Sequence, residues 1–458
     1  MKNHKRLFMV KRLYQVSLGL ALSAAFSFSV FAQASSSNSG WSQLKETFSG
    51  SLETRYVGYE NRSIHESTQH VLESTLSIDW SKSLSDNVLL ELTPVFYLDN
   101  EGSSGKDWSF DEQGLTRSGA TLDQVVLSYF GERTEFSVGK QSFSWGKGDL
   151  YSPVDKINAV DLIDLPNSKK LSVVSVSSQY IGDYFSSQLI VIPDFIPNRI
   201  PNSDNRWTRR TDRLTRAVSA RLGFVPDIRF EPRRLPNEAT DDSQYGFRLT
   251  SSSLRGGWDF ELSYFQGFSA QGVLEQQLDL GTLALTTVYP RYDEFGIGFS
   301  TTAGEFEIHG EVALHLTKNH DFDEDYATSL IGSRYSFYGV ELWQPVEEIA
   351  ITLEYASENV NRHRTEDSPF LSTGFGRALS NSLLGRVDIK FSEEMSFEFG
   401  TFYNLNRSDY SAQLKATHRP SDSLEFAASV EFFGGPSDSF FGEWSNNDRF
   451  AFLVTNYF

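Results

Sequence analysis

Glu305-Phe306-Glu307-Ile308-His309-Gly310-Glu311-Val312-Ala313-Leu314-His315-Leu316 decides the fold. Phe306, Ile308, Val312, Leu314 and Leu316 occupy even positions, whereas Glu305, Glu307, His309, Glu311 and His315 occupy odd ones. Successive side chains of a strand point to opposite faces, so the segment has one apolar and one wet side, a pattern that a helical period of roughly 100° fits badly. The same rhythm runs through 72–80, 258–264, 383–391 and 424–432.

A soluble sandwich would show this alternation too, so the connections between strands have to separate the two folds. Candidate strands of about ten residues are joined by connections that switch between short and long. The short ones include 131–133, 182–183, 303–304, 345–348, 392–394 and 420–423, and the long ones 99–120, 142–170, 194–242, 317–333, 358–379 and 434–447. Asn406-Arg407-Ser408 is a short connection where a long one is due. Short periplasmic turns at one end and long extracellular loops at the other define a transmembrane antiparallel β-barrel. The expected strands are 48–59, 70–80, 87–98, 121–130, 134–143, 171–181, 184–193, 243–252, 257–268, 291–302, 304–316, 334–343, 349–358, 380–392, 395–405, 409–418, 422–433 and 448–458, about 18 in all. Stretches 214–224 and 283–289 also have strand character. Either one alone, taken as a crossing, inverts the order of connections downstream, so both belong to loops; the alternatives are 16 or 20 strands.

Composition agrees. With 41 Lys+Arg against 60 Asp+Glu the net charge is −19, too acidic for a general nucleic-acid binder. A hydrophobic content of 39% excludes the recurrent apolar runs of a polytopic helical protein. The absence of Cys removes disulfides, thiolate metal sites and thiol nucleophiles. Residues 1–34 read as a secretory signal peptide: Lys2, Lys5, Arg6, Lys11 and Arg12 precede the apolar stretch 16–32 and a small-x-small site, Ala32-Gln33-Ala34. Residues 35–47 form a short periplasmic segment, too brief for a plug, and 48–458 a single barrel domain with long loops 99–120, 142–170 and 194–242.

The stretch Arg449-Phe450-Ala451-Phe452-Leu453-Val454-Thr455-Asn456-Tyr457-Phe458 resembles the final strand of bacterial outer-membrane β-barrels, which ends in Phe and is read by the barrel-assembly machinery; it departs by placing Asn456 where an aromatic is usual. Val138-Gly139-Lys140-Gln141-Ser142-Phe143-Ser144-Trp145-Gly146-Lys147-Gly148-Asp149, with Ser152 to Asp155 and Asn158 to Asp161, is similar to porin-like barrels, including the alginate-export type, which carry Gly-Arg/Lys-Gln, Trp-Gly, Asp and Asn-Pro-x-Asp. Ala159 replaces the Pro. The resemblance covers about thirty residues and implies a channel superfamily rather than a substrate.

A barrel of about 18 strands is too wide for side chains to fill and leaves an aqueous bore. Its wet face carries Glu53, Glu73, Asp79, Asp259, Glu261, Glu305, Glu307, Glu311, Glu354, Asp388, Glu398, Glu425 and Glu431 against Arg55, Arg248, Arg386, Lys390 and Lys415. Glu305, Glu307, Glu311, Glu354, Glu398, Glu425 and Glu431 are the expected acidic wall of the lumen, either selecting cations or polyhydroxylated solutes or pairing across strands without setting selectivity. Loop 194–242 holds ten Arg and no Lys. Arg199, Arg206, Arg209, Arg210, Arg213 and Arg216 are candidates for a pore constriction, with self-pairing inside the loop, or pairing with lipopolysaccharide phosphates, as the alternative. Trp145, Lys147, Asp149 and Asp155 are candidates for a loop that turns inward. Asp149, Asp155, Asp161 and Asp164 match no calcium-loop spacing, and His309 and His315 lack a nucleophile motif beside them.

The expected function is an outer-membrane porin or substrate-selective channel for passive diffusion of small hydrophilic solutes. The alternative is a surface binding or structural barrel whose loops close the pore around polysaccharide or a partner. No enzyme activity, metal or cofactor is expected. The partners are outer-membrane lipids, lipopolysaccharide, the assembly machinery through Phe458, and the solutes, with no nucleic acid; the pattern says nothing of oligomeric state.

Overall fold

The computed structural model describes residues 48–61, 69–100, 113–114, 116–201, 205–208, 219, 223–236, 242–254, 257–279, 281–341, 345–364, 370–372 and 378–458. The signal peptide, segment 35–47 and most of loop 99–120 lie outside them. Eighteen strands form one sheet: β1 Phe48–Tyr59, β2 His70–Ser85, β3 Val88–Asp99, β4 Ala120–Phe130, β5 Thr134–Gln141, β6 Val173–Ile181, β7 Phe185–Ile192, β8 Gln244–Leu254, β9 Trp258–Phe268, β10 Arg291–Ala303, β11 Phe306–Thr317, β12 Asp325–Glu341, β13 Pro345–Arg362, β14 Ser382–Ser392, β15 Met395–Asn404, β16 Asp409–Ser421, β17 Leu424–Gly434 and β18 Arg449–Tyr457. Each pairs antiparallel with its sequence neighbour, and β18 returns to β1 in the register Ser51↔Tyr457 to Tyr59↔Arg449. The ring is closed, so every spanning strand has two partners and no edge is left to meet lipid.

The alternation points outward as its chemistry requires. On β11, Phe306 and Val312 are 49% and 44% exposed, whereas His309 and Glu311 between them are 0% and 2% exposed. The same phase holds at Phe260 and Leu262 around Glu261, and at Leu353 and Tyr355 around Glu354. At the seam the backbones of Gly50 and Phe458 exchange two hydrogen bonds of 2.9 and 3.1 Å. The Phe458 ring lies where a Cβ on Gly50 would stand, and Phe450 covers Gly58 in the same way.

The 18 expected strands all appear, and the turn at 406–408 joins β15 to β16 as a tight connection. The bounds differ most at β12 and β13, and β2 runs on to Ser85 rather than 80. β12 begins at Asp325 rather than 334, which shrinks the loop after β11, and β13 runs from Pro345 to Arg362. Stretch 283–289 is a strand outside the ring: Thr282–Val288 pairs parallel with Asp227–Arg234 and antiparallel with Val273–Asp279, which pairs with Phe370–Ser372. This small sheet gathers three long loops at one end of the barrel around Leu283 and Leu285. Stretch 214–224 falls mostly outside the described residues.

Candidate functional site: a loop held across the bore

The connection between β5 and β6, residues 142–172, folds into the lumen. Its first part lies on the wall of β8 to β13, where even and odd strands have different roles. Under this part of the loop the even strands present glycines inward: the Trp145 ring covers Gly246 of β8, Val154 covers Gly296 of β10, and the Lys147 side chain covers Gly298 of the same strand. The inward positions of the odd strands carry buried carboxylates: Glu261 on β9, Glu311 on β11 and Glu354 on β13. The registers Glu261↔Gly298↔Glu311 and His309↔Gly332↔Glu354 place a glycine between the working side chains. A Cβ on Gly332 would stand 2.4 Å from His309 Nε2 and 2.6 Å from Glu354 Cγ. The glycines form a trough, and the carboxylates rise on either side of it.

The loop answers with backbone. Gly146 N–H donates to Glu261 Oε1 at 2.9 Å, Lys147 N–H to Glu311, Gly148 N–H to Glu311 Oε1 at 2.6 Å, and Asp149 and Leu150 N–H to Glu354 Oε1 at 2.7 and 3.1 Å. Ser152 Oγ adds a bond of 2.7 Å to Glu311 Oε2, and His309 Nε2 lies 2.9 Å from Glu354 Oε1. Alternate strands stand about 10 Å apart, so a segment crossing them meets a new carboxylate every few residues. Five consecutive amides thereby find charged acceptors, which make stronger bonds than neutral ones. Gly146 has φ +104°, and any Cβ there would meet Ser152 Oγ and the Glu311 carboxylate. Trp145 Nε1 donates to Gln188 Oε1 at 3.0 Å.

The far end of the loop is anchored on the opposite side of the ring, at the β18–β1 seam. Asp164 Oδ1 accepts from Arg449 Nη1 at 2.6 Å, and Oδ2 from Arg55 Nη2. Arg55 Nε also donates to Glu73 at 2.7 Å and Arg449 Nε to Glu431 at 2.6 Å, so each guanidinium is shared between a wall carboxylate and the loop. Burial alone would raise the Asp164 carboxyl, but the charges of Arg449 and Arg55 outweigh it and hold the group well below the usual carboxylate range. Between the anchors, Asp161 accepts from Arg117 at 2.7 Å and from Arg199 at 3.4 Å, and Asp155 pairs with Lys170.

Of the inward-loop candidates, Trp145, Lys147 and Asp149 lie on the glycine–carboxylate wall, while Asp155 faces Lys170. Of the arginine candidates, Arg199 is buried against Asp161, and Arg206 places its guanidinium 3.4 Å over the Tyr59 ring. Arg209, Arg210, Arg213 and Arg216 lie outside the described residues. In the expected acidic wall, Glu311, Glu354 and Glu431 are buried and bonded as above; Glu307 and Glu398 are half-buried; Glu425 pairs with Arg419; and Glu305 is exposed in the tight turn before β11. Asp155, Asp161 and Asp164 are each held by protein cations instead of converging. His309 faces Glu354, and His315 stacks between Tyr292 and Tyr326. The glycine trough and the Arg55–Asp164–Arg449 anchor were not among the expected site residues.

Across from the trough the described residues leave open space. The inward Gly400 of β15 has no atom within 4 Å of a built Cβ. Beside it the inward row of β14 carries Arg386 and Asp388, bonded to each other at 2.9 Å, and Glu398 and Lys415 face one another in register.

A closed 18-stranded ring with a long loop laid across it is the fold of outer-membrane porins, and comparison with a solved structure gives the same fold. The structure is similar to OccK8 (OprE) of Pseudomonas aeruginosa, with TM-score 0.51, 10% identity, and coverage of 90% of this chain and 98% of that one. Weaker likenesses, at TM-score 0.41, are to in-vitro folded OmpT, an outer membrane protein of Vibrio cholerae (10% identity, 90% and 96% coverage), and to a mutant of Rh. blastica porin (12% identity, 90% and 99% coverage). In sequence, residues 109–333 match the family described as "Protein of unknown function (DUF1302)". No curated protein matches.

Proposed function

We propose that this protein is an outer-membrane channel in which loop 142–172 narrows the bore and small hydrophilic solutes diffuse passively along the β14–β17 wall, without covalent chemistry. The observation that carries this reading is the contrast between the two sides of the lumen. One wall is covered by a loop bonded to three carboxylates, while the other retains half-exposed charged side chains and open space over Gly400. The apolar outer rows fit lipid, and lipopolysaccharide is the surface such a barrel would meet outside. Phe458, paired with Gly50 at the seam, is the residue we assign to recognition by the assembly machinery.

The charge of the lumen argues for weak ion selectivity. Glu261, Glu311 and Glu354 are engaged by loop amides and Glu73 and Glu431 by arginines, and along the open side Asp388 and Glu398 are opposed by Arg386 and Lys415. Reconstitution in planar bilayers is expected to give steady ohmic current with a potassium-to-chloride permeability ratio close to one. Absence of current would favour a sealed barrel that binds polysaccharide or a partner through its loops. A strong cation preference would show that the wall carboxylates still act on ions.

A further inference from the structure

The open side of the bore contains a cavity of about 360 Å³ whose chemistry differs from the rest of the lumen. Inward rows of aqueous barrels are polar, yet here Phe402 of β15 and Phe433 of β17 face inward. The loop between β17 and β18 adds Phe440 and Phe441, and the inserted loop adds Leu165 and Pro166 from its 3-10 turn. The rings are packed rather than loose: Phe402 and Phe441 meet edge to face with centroids 4.9 Å apart, and Phe440 and Phe441 likewise at 4.8 Å. Ser411 and Gln413 supply polar groups at one edge.

We infer that this cavity is a binding subsite for an uncharged amphipathic solute, an apolar or aromatic body of drug-like size carrying a hydroxyl or carbonyl. A concave apolar surface with a few polar groups, in this size range, is the usual form of a small-molecule site, and an apolar patch rimmed by polar groups inside a wet bore is otherwise unfavourable. Neutrality follows from the lining. Among the described residues its one ionisable group is Glu431, whose Oε2 accepts from Arg449 at 2.6 Å and whose Oε1 accepts from Gln413 Nε2 at 3.1 Å, so that carboxylate is already paired. The scarcity of hydroxyl and amide groups argues against a sugar, which needs many. The subsite rests on the lumen being wet and reachable, but not on net conduction through it.

The test uses full-length protein in nanodiscs and fluorine NMR of three probes: 2-(4-fluorophenyl)ethanol, 4-fluorobenzoate and 2-deoxy-2-fluoroglucose, with empty nanodiscs as background. The alcohol is expected to show saturable line broadening above background, and the anion and the sugar none. Gly400→Trp, which projects into open space, should abolish the broadening, and Phe402→Ser should weaken it by about tenfold or more, with folding verified by the heat-dependent gel shift of the barrel. No saturable broadening with the alcohol, equal binding of the anion or sugar, or binding unchanged in Gly400→Trp would each overturn the assignment. The readout needs no current, so a sealed barrel would sink the channel reading and leave this result interpretable.

Discussion

Replacing Glu311 and Glu354 together by alanine is expected to raise single-channel conductance several-fold. The two carboxylates accept from Lys147, Gly148, Asp149 and Leu150 N–H and from Ser152 Oγ, so their removal strands four amides, while the Ser152 hydroxyl keeps the Trp145 carbonyl at 3.1 Å. Each buried donor left unpaired costs about 1–3 kcal/mol, and the whole of that penalty falls on the 146–150 end of the loop, on the opposite wall from the Asp164 anchor. The segment reaches water by leaving the bore. Glutamine at both positions retains a carbonyl acceptor and should raise conductance much less, which separates loop release from simple loss of charge. Conductance unchanged in the alanine variant would mean that the loop is held by something other than these bonds.

Arg449→Ala is expected to give the largest loss of stability. Arg449 is 4% exposed and joins Glu431 on β17, Tyr59 on β1 and Asp164 of the loop. Removing one partner of a buried ion pair costs about 3–5 kcal/mol because the other charge stays behind, and here two carboxylates lose a partner at the strand that closes the ring. Urea unfolding in detergent should therefore show a large fall in midpoint. The Asp164 part of the network has a pH signature. Its folded-state pKa is depressed, so its contribution is complete above the unfolded carboxyl value of about 4 and is lost only as pH falls through the lower folded value. The stability difference between wild type and Asp164→Asn should thus stay constant from neutral pH to about pH 5 and shrink only in stronger acid; a difference that already fades near neutrality would show that Asp164 is not held by the two arginines.

The ring could be read from the sequence because each strand carries its own two-residue rhythm, and the alternation of short and long connections fixes which candidates cross. The first residues of β12 escaped for a physical reason. From Asp325 to Ser333 the inward positions include Tyr326, Thr328 and Leu330 rather than charges, because this part of the wall lies under the inserted loop, where Leu330 packs with Leu150 and Tyr151. Alternation fails where the lumen is dry.

Trp145, Lys147 and Asp149 stood out through the Trp-Gly segment, but the bonds that hold them do not. A backbone amide has no sequence signature, and the trough is scattered over Gly246, Gly296, Gly298 and Gly332, residues that acquire meaning only when register sets them between Glu261, Glu311, His309 and Glu354. Arg55, Asp164 and Arg449 are equally far apart in the chain and meet only because the last strand closes on the first.

The absence of cysteine in the chain makes thiol accessibility the most direct measurement of the whole arrangement. Gly400→Cys and Leu353→Cys, each alone, would be recorded in a planar bilayer while a charged, membrane-impermeant methanethiosulfonate is added to the aqueous phase. Gly400 faces the open bore and Leu353, 57% exposed, faces outward. A lasting fall in current for Gly400→Cys with no change for Leu353→Cys is the predicted result. A silent Gly400→Cys beside a reactive, current-blocking Leu353→Cys would mean that the wet and oily faces of the ring have been assigned the wrong way round.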